Sequence, residues 1–274
     1  MSETEPVPPG VDASRPSPAR MYDRYLGGTA NFAADRAAVD RILELVPEIR
    51  DAAWANRGFL QRAVRWMAGR GIRQFIDLGA GLPTQRCTHE VARSVVPGAR
   101  VLYTDNDPSV IAHGEQILAE VPGTAVIEAD FRRPDDLLGH PMTRRLIDFT
   151  EPVGLLLSAV LHFVSDESDP AGLLAAYTAA LAPGSYLALS HMTGEHKPPQ
   201  AVQALSQVSE QAAGGGYLRS RAEVRRLFGG LPIVPPYPGA AEDVTWVGLW
   251  NCEDPELADS EGSRWLYCGV ARTG

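Results

Sequence analysis

Two carboxylates and a pair of glycines stand where a chain passing from a strand toward a helix would meet a ligand. Asp77 follows the apolar pair Phe75-Ile76, and Leu78-Gly79-Ala80-Gly81 leads on into Leu82, Pro83 and Thr84. Glycine lets a backbone turn sharply and come close to a bound molecule. In a nucleotide-binding βαβ unit such a turn lies at the carboxyl edge of the first strand, where the crevice forms. Taken alone, the turn is equally a tight strand-to-helix connection. Asp105 narrows the choice, because it ends the next apolar run, Val101 to Thr104, and so falls beside the glycines. There a carboxylate can accept hydrogen bonds from both ribose hydroxyls, which argues against a 2′-phosphorylated ligand. Asp77 would repel a pyrophosphate and attract an ammonium group.

Histidine is the side chain whose ordinary pKa, about 6.5, suits proton transfer near neutrality. His162 and His191 each stand just beyond an apolar strand and are the candidate catalytic residues, His162 the better of the two. Either ring could also simply pack beside the pocket. Tyr22, Asn31 and Asp35 are candidates for a lid, although Tyr22 and Phe32 would serve equally as anchors for amino-terminal helices. Arg20 and Arg57 have the planar fork that pairs with a carboxylate, or are surface residues. Cys87 lacks a neighbouring base and reads as a small hydrophobe. Trp246, Trp250 and Trp265 could line an acceptor pocket or be ordinary strand residues.

The elements that must position these groups follow from periodicity. A proline-rich, small-polar stretch opens the chain and reads as a flexible tail over 1–17. Helical patterning then runs over 18–70: Phe59, Ala63, Trp66 and Met67 share one face, and Gly69 and Gly71 end the run. From 71 onward strands alternate with helices. Strands are expected at 74–78, 100–104, 125–128, 153–160 and 186–190, with helices at 89–95, 108–120 and 173–181. Unbroken apolar runs suit parallel strands covered on both faces. Two further strands, 244–250 and 265–271, are joined by an acidic linker without helical pattern, which predicts an antiparallel pair at the sheet edge. Ser220 and Glu223 form a capping-box pattern ahead of a helix ending at Phe228.

The chain has 274 residues, 45% of them hydrophobic, and a net charge of −9. That is enough for one main core. Excess negative charge disfavours nucleic acid as a partner, since binding it depends on neutralising phosphates. No run approaches the roughly 18 apolar residues of a membrane span, and the opening residues lack a signal pattern, so a cytoplasmic protein with no membrane partner is expected. Cys87, Cys252 and Cys268 form no metal-site spacing.

Asp77-Leu-Gly79-Ala-Gly81 resembles the first motif of class I, Rossmann-like S-adenosylmethionine-dependent methyltransferases. Asp105 resembles their ribose acid, Glu128-Ala-Asp130-Phe131 the segment bracketing adenine, Ser158-Ala-Val-Leu161-His162-Phe163 the fourth-strand motif, and Leu181-Ala-Pro-Gly184-Ser-Tyr-Leu the turn into the fifth strand. More narrowly, Ala19-Arg20-Met21-Tyr22-Asp23-Arg24-Tyr25-Leu26-Gly27-Gly28, Asn31-Phe32, Ala34-Asp35-Arg36, Ala55-Asn56-Arg57 and Gly71-Ile-Arg-Gln-Phe75 are similar to a bacterial branch of those enzymes that is largely uncharacterised. Pro83 departs from the general pattern, standing where a third glycine is common, and removes an N–H donor.

The resemblance implies a doubly wound, mainly parallel α/β sheet over 71–274 with an antiparallel strand pair at its carboxyl end, and an amino-terminal helical cap over 18–70. S-adenosyl-L-methionine is the implied cofactor, held by Asp77, Gly79, Ala80, Gly81, Asp105, Asn106, Asp130, Phe131 and Ser158, with Tyr22 and Asn31 from the cap. The implied reaction is methyl transfer to an O or N atom of a small-molecule acceptor, without a metal. Two rivals remain: a non-catalytic protein that binds the same cofactor, and an NAD-dependent oxidoreductase, which Asp77 disfavours.

Overall fold

The computed structural model describes residues 7–83 and 86–274. Its strands are β1 (Gln74–Leu78), β2 (Arg100–Asp105), β3 (Thr124–Glu128), β4 (Gly154–Ser158), β5 (Tyr186–Met192), β6 (Thr245–Trp246) and β7 (Leu266–Arg272). They form one sheet in the order β3-β2-β1-β4-β5-β7-β6. β1 to β5 run parallel, while β7 runs antiparallel to both β5 and β6. This is the doubly wound sheet with an antiparallel carboxyl-terminal pair that the alternation of elements predicts.

The helices are α1 (Pro18–Tyr25), α2 (Ala33–Leu45), α3 (Ile49–Ala68), α4 (Thr88–Arg93), α5 (Pro108–Leu118), α6 (Pro134–Gly139), α7 (Pro141–Leu146), α8 (Pro170–Ala179), α9 (Pro199–Ala213), α10 (Arg221–Leu227) and α11 (Pro255–Ala258). Successive strand side chains point to opposite faces, and here both faces are covered. Phe75, Val101, Leu156 and Ala188 join the core beneath α3 and α4. Their neighbours Ile76, Leu102, Leu155, Leu157 and Leu187 join the core on the other side, with residues of α6, α8 and α10. The second half of α3 lies directly on the sheet, so close that a side chain at Gly154 would meet the Phe75 ring at 2.5 Å and the Met67 sulfur at 3.1 Å.

Several local outcomes differ from the sequence pattern: the acidic linker read as non-helical holds the short α11, capped by Asp254, β4 stops at Ser158, and β5 extends to Met192. The expected strand 244–250 shortens to Thr245–Trp246, because the Arg62 guanidinium donates to the carbonyls of Val247, Gly248 and Trp250 and ends the ladder. The short helices α6 and α7 fill the β3–β4 connection, each opened by a proline. Helix α9 was not expected at all, yet it closes the site described below. Its pattern is legible in retrospect: Ala201, Leu205, Val208 and Ala212 recur at helical spacing between Pro199 and Gly214.

Of the segment expected as a cap, α1, α2 and the first half of α3 lie over the carboxyl edge of the sheet. Of the stretch read as a tail, residues 1–6 lie outside the described residues. Ser17 caps α1 and is buried, and the carbonyls of Asp12 and Arg15 accept from Arg20 Nη2.

Candidate active site

Strand order reverses between β1 and β4, and a cavity of about 430 Å³ opens there at the strands' carboxyl ends. This is the switch point where open α/β sheets bind ligands, and the volume lies within the range of small-molecule pockets. Two glycines shape its floor. Gly79 has φ +61°, and a Cβ there would meet Val160 at 2.4 Å; Gly81 has φ +64°, and a Cβ there would meet nothing within 4 Å. The first position therefore excludes any side chain on both counts, while the second leaves open space for a ligand against the backbone. Ala159, also on the wall, holds the left-handed region at φ +54°. That costs a non-glycine residue about 1 kcal/mol, and its N–H is fixed by the Ser190 hydroxyl at 2.9 Å.

Asp77 and Asp105 both line this cavity. Asp77 is 3% exposed and accepts from Thr88 Oγ1 at 2.6 Å. Burial pushes its pKa up to about 6, against the opposing pull of Thr88 and of the Arg57 charge. Asp105 accepts from the Gly81 N–H at 2.9 Å and the Asp107 N–H at 3.0 Å. Burial outweighs those bonds, and its pKa also rises to about 6. Arg57 faces the same space, and its Nε is buried without a partner among the described residues. An unpaired donor and a nearby acid, both desolvated, suit the two ends of a zwitterion.

Asn56, one residue earlier on α3, ties the site together. Its Nδ2 donates to Tyr22 Oη at 2.9 Å and to Ser158 Oγ at 3.1 Å, and its Oδ1 accepts from Ser190 Oγ at 2.6 Å. Tyr22 in turn donates to the Ala53 carbonyl. One side chain thus joins α1, α3, β4 and β5. Gly79, Ala80, Gly81, Asn106, Phe131, Ser158, Tyr22 and His162 all line the cavity, as does Arg132, which the sequence reading did not single out.

Asn31, Asp130 and His191, together with Arg20 and the lid candidate Asp35, do not reach the cavity. Asn31 is buried, donating to Asp23 Oδ2 and to the Gly28 carbonyl, so it braces the α1–α2 turn. Asp130 is held by a bidentate bridge to Arg132, at 2.8 and 2.7 Å, and is not among the residues lining the cavity. Arg20 is taken by the buried Asp35 at 2.8 Å; Asp35 also accepts from the N–H groups of Ser17 and Phe32 and so locks α1 to α2. Thr84, at the end of the glycine-turn segment, lies outside the described residues. The tryptophans lie elsewhere, Trp250 and Trp265 in the core, and burial raises the Cys87 thiol to about 11, consistent with an inert side chain.

His191 is the third displaced candidate. It is fully buried, its Nε2 accepting from Arg219 Nη1 at 2.7 Å, which leaves the proton on Nδ1 to donate to the Met192 carbonyl at 2.7 Å. Burial, with the Arg219 charge, lowers its pKa to about 4. Arg219 also donates to the carbonyls of Leu161 and Val164 and to Asp166. His191 therefore positions the segment that carries His162 and titrates far from neutrality. His191→Ala is expected to lower unfolding stability by about 2 kcal/mol, the worth of a hydrogen bond to a buried charge, in urea unfolding, with cofactor affinity unchanged. An unchanged urea midpoint would remove this bracing role.

Residues 4–274 match the model of the S-adenosyl methyltransferase family. The chain is 42% identical to a candidate methyltransferase from Thermobifida fusca YX, over 98% of this chain and 99% of that one, with a TM-score of 0.89. It is 37% identical to a DUF574 family protein from Streptomyces avermitilis MA-4680, over 96% and 99%, with a TM-score of 0.87. The mitomycin 7-O-methyltransferase MmcR, 16% identical over 97% of this chain and 74% of that one, shares the fold at a TM-score of 0.50. No curated protein matches the sequence. No helix among the described residues is long and apolar enough to cross a membrane. The chain belongs to the S-adenosyl methyltransferase family, and S-adenosyl-L-methionine, not a dinucleotide, is the cofactor of this methyltransferase.

Proposed function

We propose that the protein transfers the methyl group of S-adenosylmethionine to an O or N atom of a small-molecule acceptor, with His162 beside the reacting centre. The observation that carries this reading is the meeting, in one cavity, of Asp77, Asp105 and Arg57 with the His162 ring. Asp77 would hold the cofactor's ammonium group, Arg57 its carboxylate and Asp105 its ribose hydroxyls. Phe131 would lie against the adenine, with Arg132 beside it as a donor to a ring nitrogen. Bound S-adenosylmethionine supplies a sulfonium methyl whose S–CH₃ bond breaks as the O–CH₃ or N–CH₃ bond forms, the electron pair staying on sulfur.

The protein's work is then alignment, exclusion of water and removal of one proton. Helices α1, α2 and α9 shield the cavity, and the Tyr22-Asn56-Ser158 array fixes its wall. Burial, reinforced by His191 and Arg219, holds the His162 pKa well below its ordinary value, and its Nδ1 is buried without a partner among the described residues; the ring is thus a weak base that would take the acceptor's proton only as bond formation to the methyl group makes that proton acidic.

The test begins with calorimetric titration of S-adenosylmethionine, S-adenosylhomocysteine and NAD, followed by an acceptor screen that reads S-adenosylhomocysteine formation. Binding of the first two and not of NAD is expected. His162→Gln is expected to slow transfer about 100-fold or more while leaving cofactor affinity unchanged, and the wild-type rate at saturating S-adenosylmethionine should be flat from about pH 7 to 9. Full turnover in the variant would remove His162 as the base. Tight cofactor binding with no transfer to any acceptor would instead favour a binding protein.

A further inference from the structure

The cavity has two ends of different chemistry. Of its charged lining residues, Asp77, Asp105, Arg57 and Arg132 would surround the cofactor's polar groups, and Asp107 caps α5 through Ser109. Past Ser158 and His162 the space continues between α1, α2, the start of α3 and α9, where α9 packs against both α1 and α2. There the wall is Tyr25, Ile42, Ile49, Leu205, Val208 and Ala212. Neither α2 nor α9 presents a charged side chain to the cavity. Ser209 of α9 also lines it, and among the described residues the Tyr25 hydroxyl, on a side chain 8% exposed, is a buried polar atom of this wall without a partner.

An ion moved into such a wall loses its hydration with no counter-charge to replace it, at a cost of several kcal/mol. An uncharged molecule gains about 25 cal/mol for each Å² of apolar surface it buries, and a single hydroxyl or carbonyl would satisfy Tyr25. We infer that this end is the acceptor chamber and that its occupant is an uncharged, mainly apolar small molecule bearing a hydrogen-bonding group; the inference rests on the methyl-transfer reading above. Amino acids, nucleotides and phosphorylated sugars are excluded as acceptors by the same reasoning.

The test uses three probes of like shape: 2-naphthol, 2-naphthoate and 2-naphthylmethylammonium, titrated at pH 7.5 into protein saturated with S-adenosylhomocysteine. Naphthol is expected to bind about tenfold or more tightly than either ion. Leu205→Glu is expected to abolish that preference in favour of the ammonium probe, and Ala212→Phe, which fills the chamber without adding charge, to weaken all three; neither variant should change S-adenosylhomocysteine affinity. An ion that binds as tightly as naphthol, no naphthol binding at about 1 mM, or naphthol binding untouched by both variants would overturn the assignment. Failure of S-adenosylhomocysteine to bind wild-type protein would defeat the methyl-transfer reading separately, and the probes, titrated without it, would still decide what the chamber accepts.

Discussion

Asp77→Asn is expected to weaken S-adenosylmethionine binding about a hundredfold while making the ligand-free protein more stable. The two effects share one cause. Asp77 is almost wholly buried, its hydrogen bond from Thr88 does not offset the loss of hydration, and its pKa stands near 6 instead of near 3.8. At neutral pH the free protein therefore carries a carboxylate whose ionisation costs it on the order of 3 kcal/mol. An ammonium group placed beside that carboxylate regains the loss and adds a charge-assisted hydrogen bond, which together account for two decades of affinity. Asparagine keeps an acceptor for Thr88 but cannot neutralise an ammonium. Part of the ionisation cost disappears with the charge, so unfolding should shift upward by about 2–4 °C for each kcal/mol recovered. Calorimetry and thermal unfolding of the same preparations read both quantities. Unchanged affinity would mean that the ammonium is held elsewhere, and a lower unfolding temperature would mean that the Thr88 bond outweighs desolvation. A residue that stabilises by its removal is one retained for binding.

The cofactor end of the site was legible because its signals are local. Asp77, Gly79 and Gly81 lie within five residues of one strand-turn unit, and Asp105 is fixed by the end of the next apolar run, so parallel pairing alone brings them together. Side chains whose role depends on a distant partner were not legible in this way. Arg20 and Arg57 look alike in sequence; the difference is that Asp35 lies within reach of one and an empty stretch of cavity wall within reach of the other. His162 and His191 both stand just past an apolar run in the sequence, but β5 extends through His191 to Met192, and Arg219, far along the chain, claims its ring. Asp130 did carry a local signal, since Arg132 stands two residues on and can bridge it. The chamber for the acceptor was hidden longest. Helix α9 has an ordinary amphipathic pattern, and only the fold shows that its apolar stripe faces a cavity as well as a core.

Affinity for S-adenosylmethionine is expected to fall steeply as pH drops below about 6. Asp77 and Asp105 both titrate near that value in the free protein, each raised mainly by burial, and on the proposed placement the bound cofactor would meet both in the ionised form. Below pH 6 binding must expel the protons, which costs up to tenfold per pH unit for one carboxylate and up to a hundredfold for two. Titrations at pH 6 in buffers of different ionisation enthalpy should then report release of on the order of one proton per cofactor bound. The companion stability effect has the opposite sense. A carboxyl raised above its unfolded pKa holds more protons folded than unfolded between about pH 4 and 6, so its contribution to stability diminishes as pH rises through that window. Lowered histidines such as His162 and His191 act in the contrary direction, losing stability as pH falls below about 6.5. The comparison of wild type with Asp77→Asn isolates the carboxyl from them: the variant's advantage should be complete at pH 8 and gone by pH 4. Affinity that stays level from pH 5 to 8 would show that neither carboxylate meets the cofactor in its charged form. Affinity that falls in wild type but stays level in Asp77→Asn would place the whole linkage on Asp77, and so on the ammonium group.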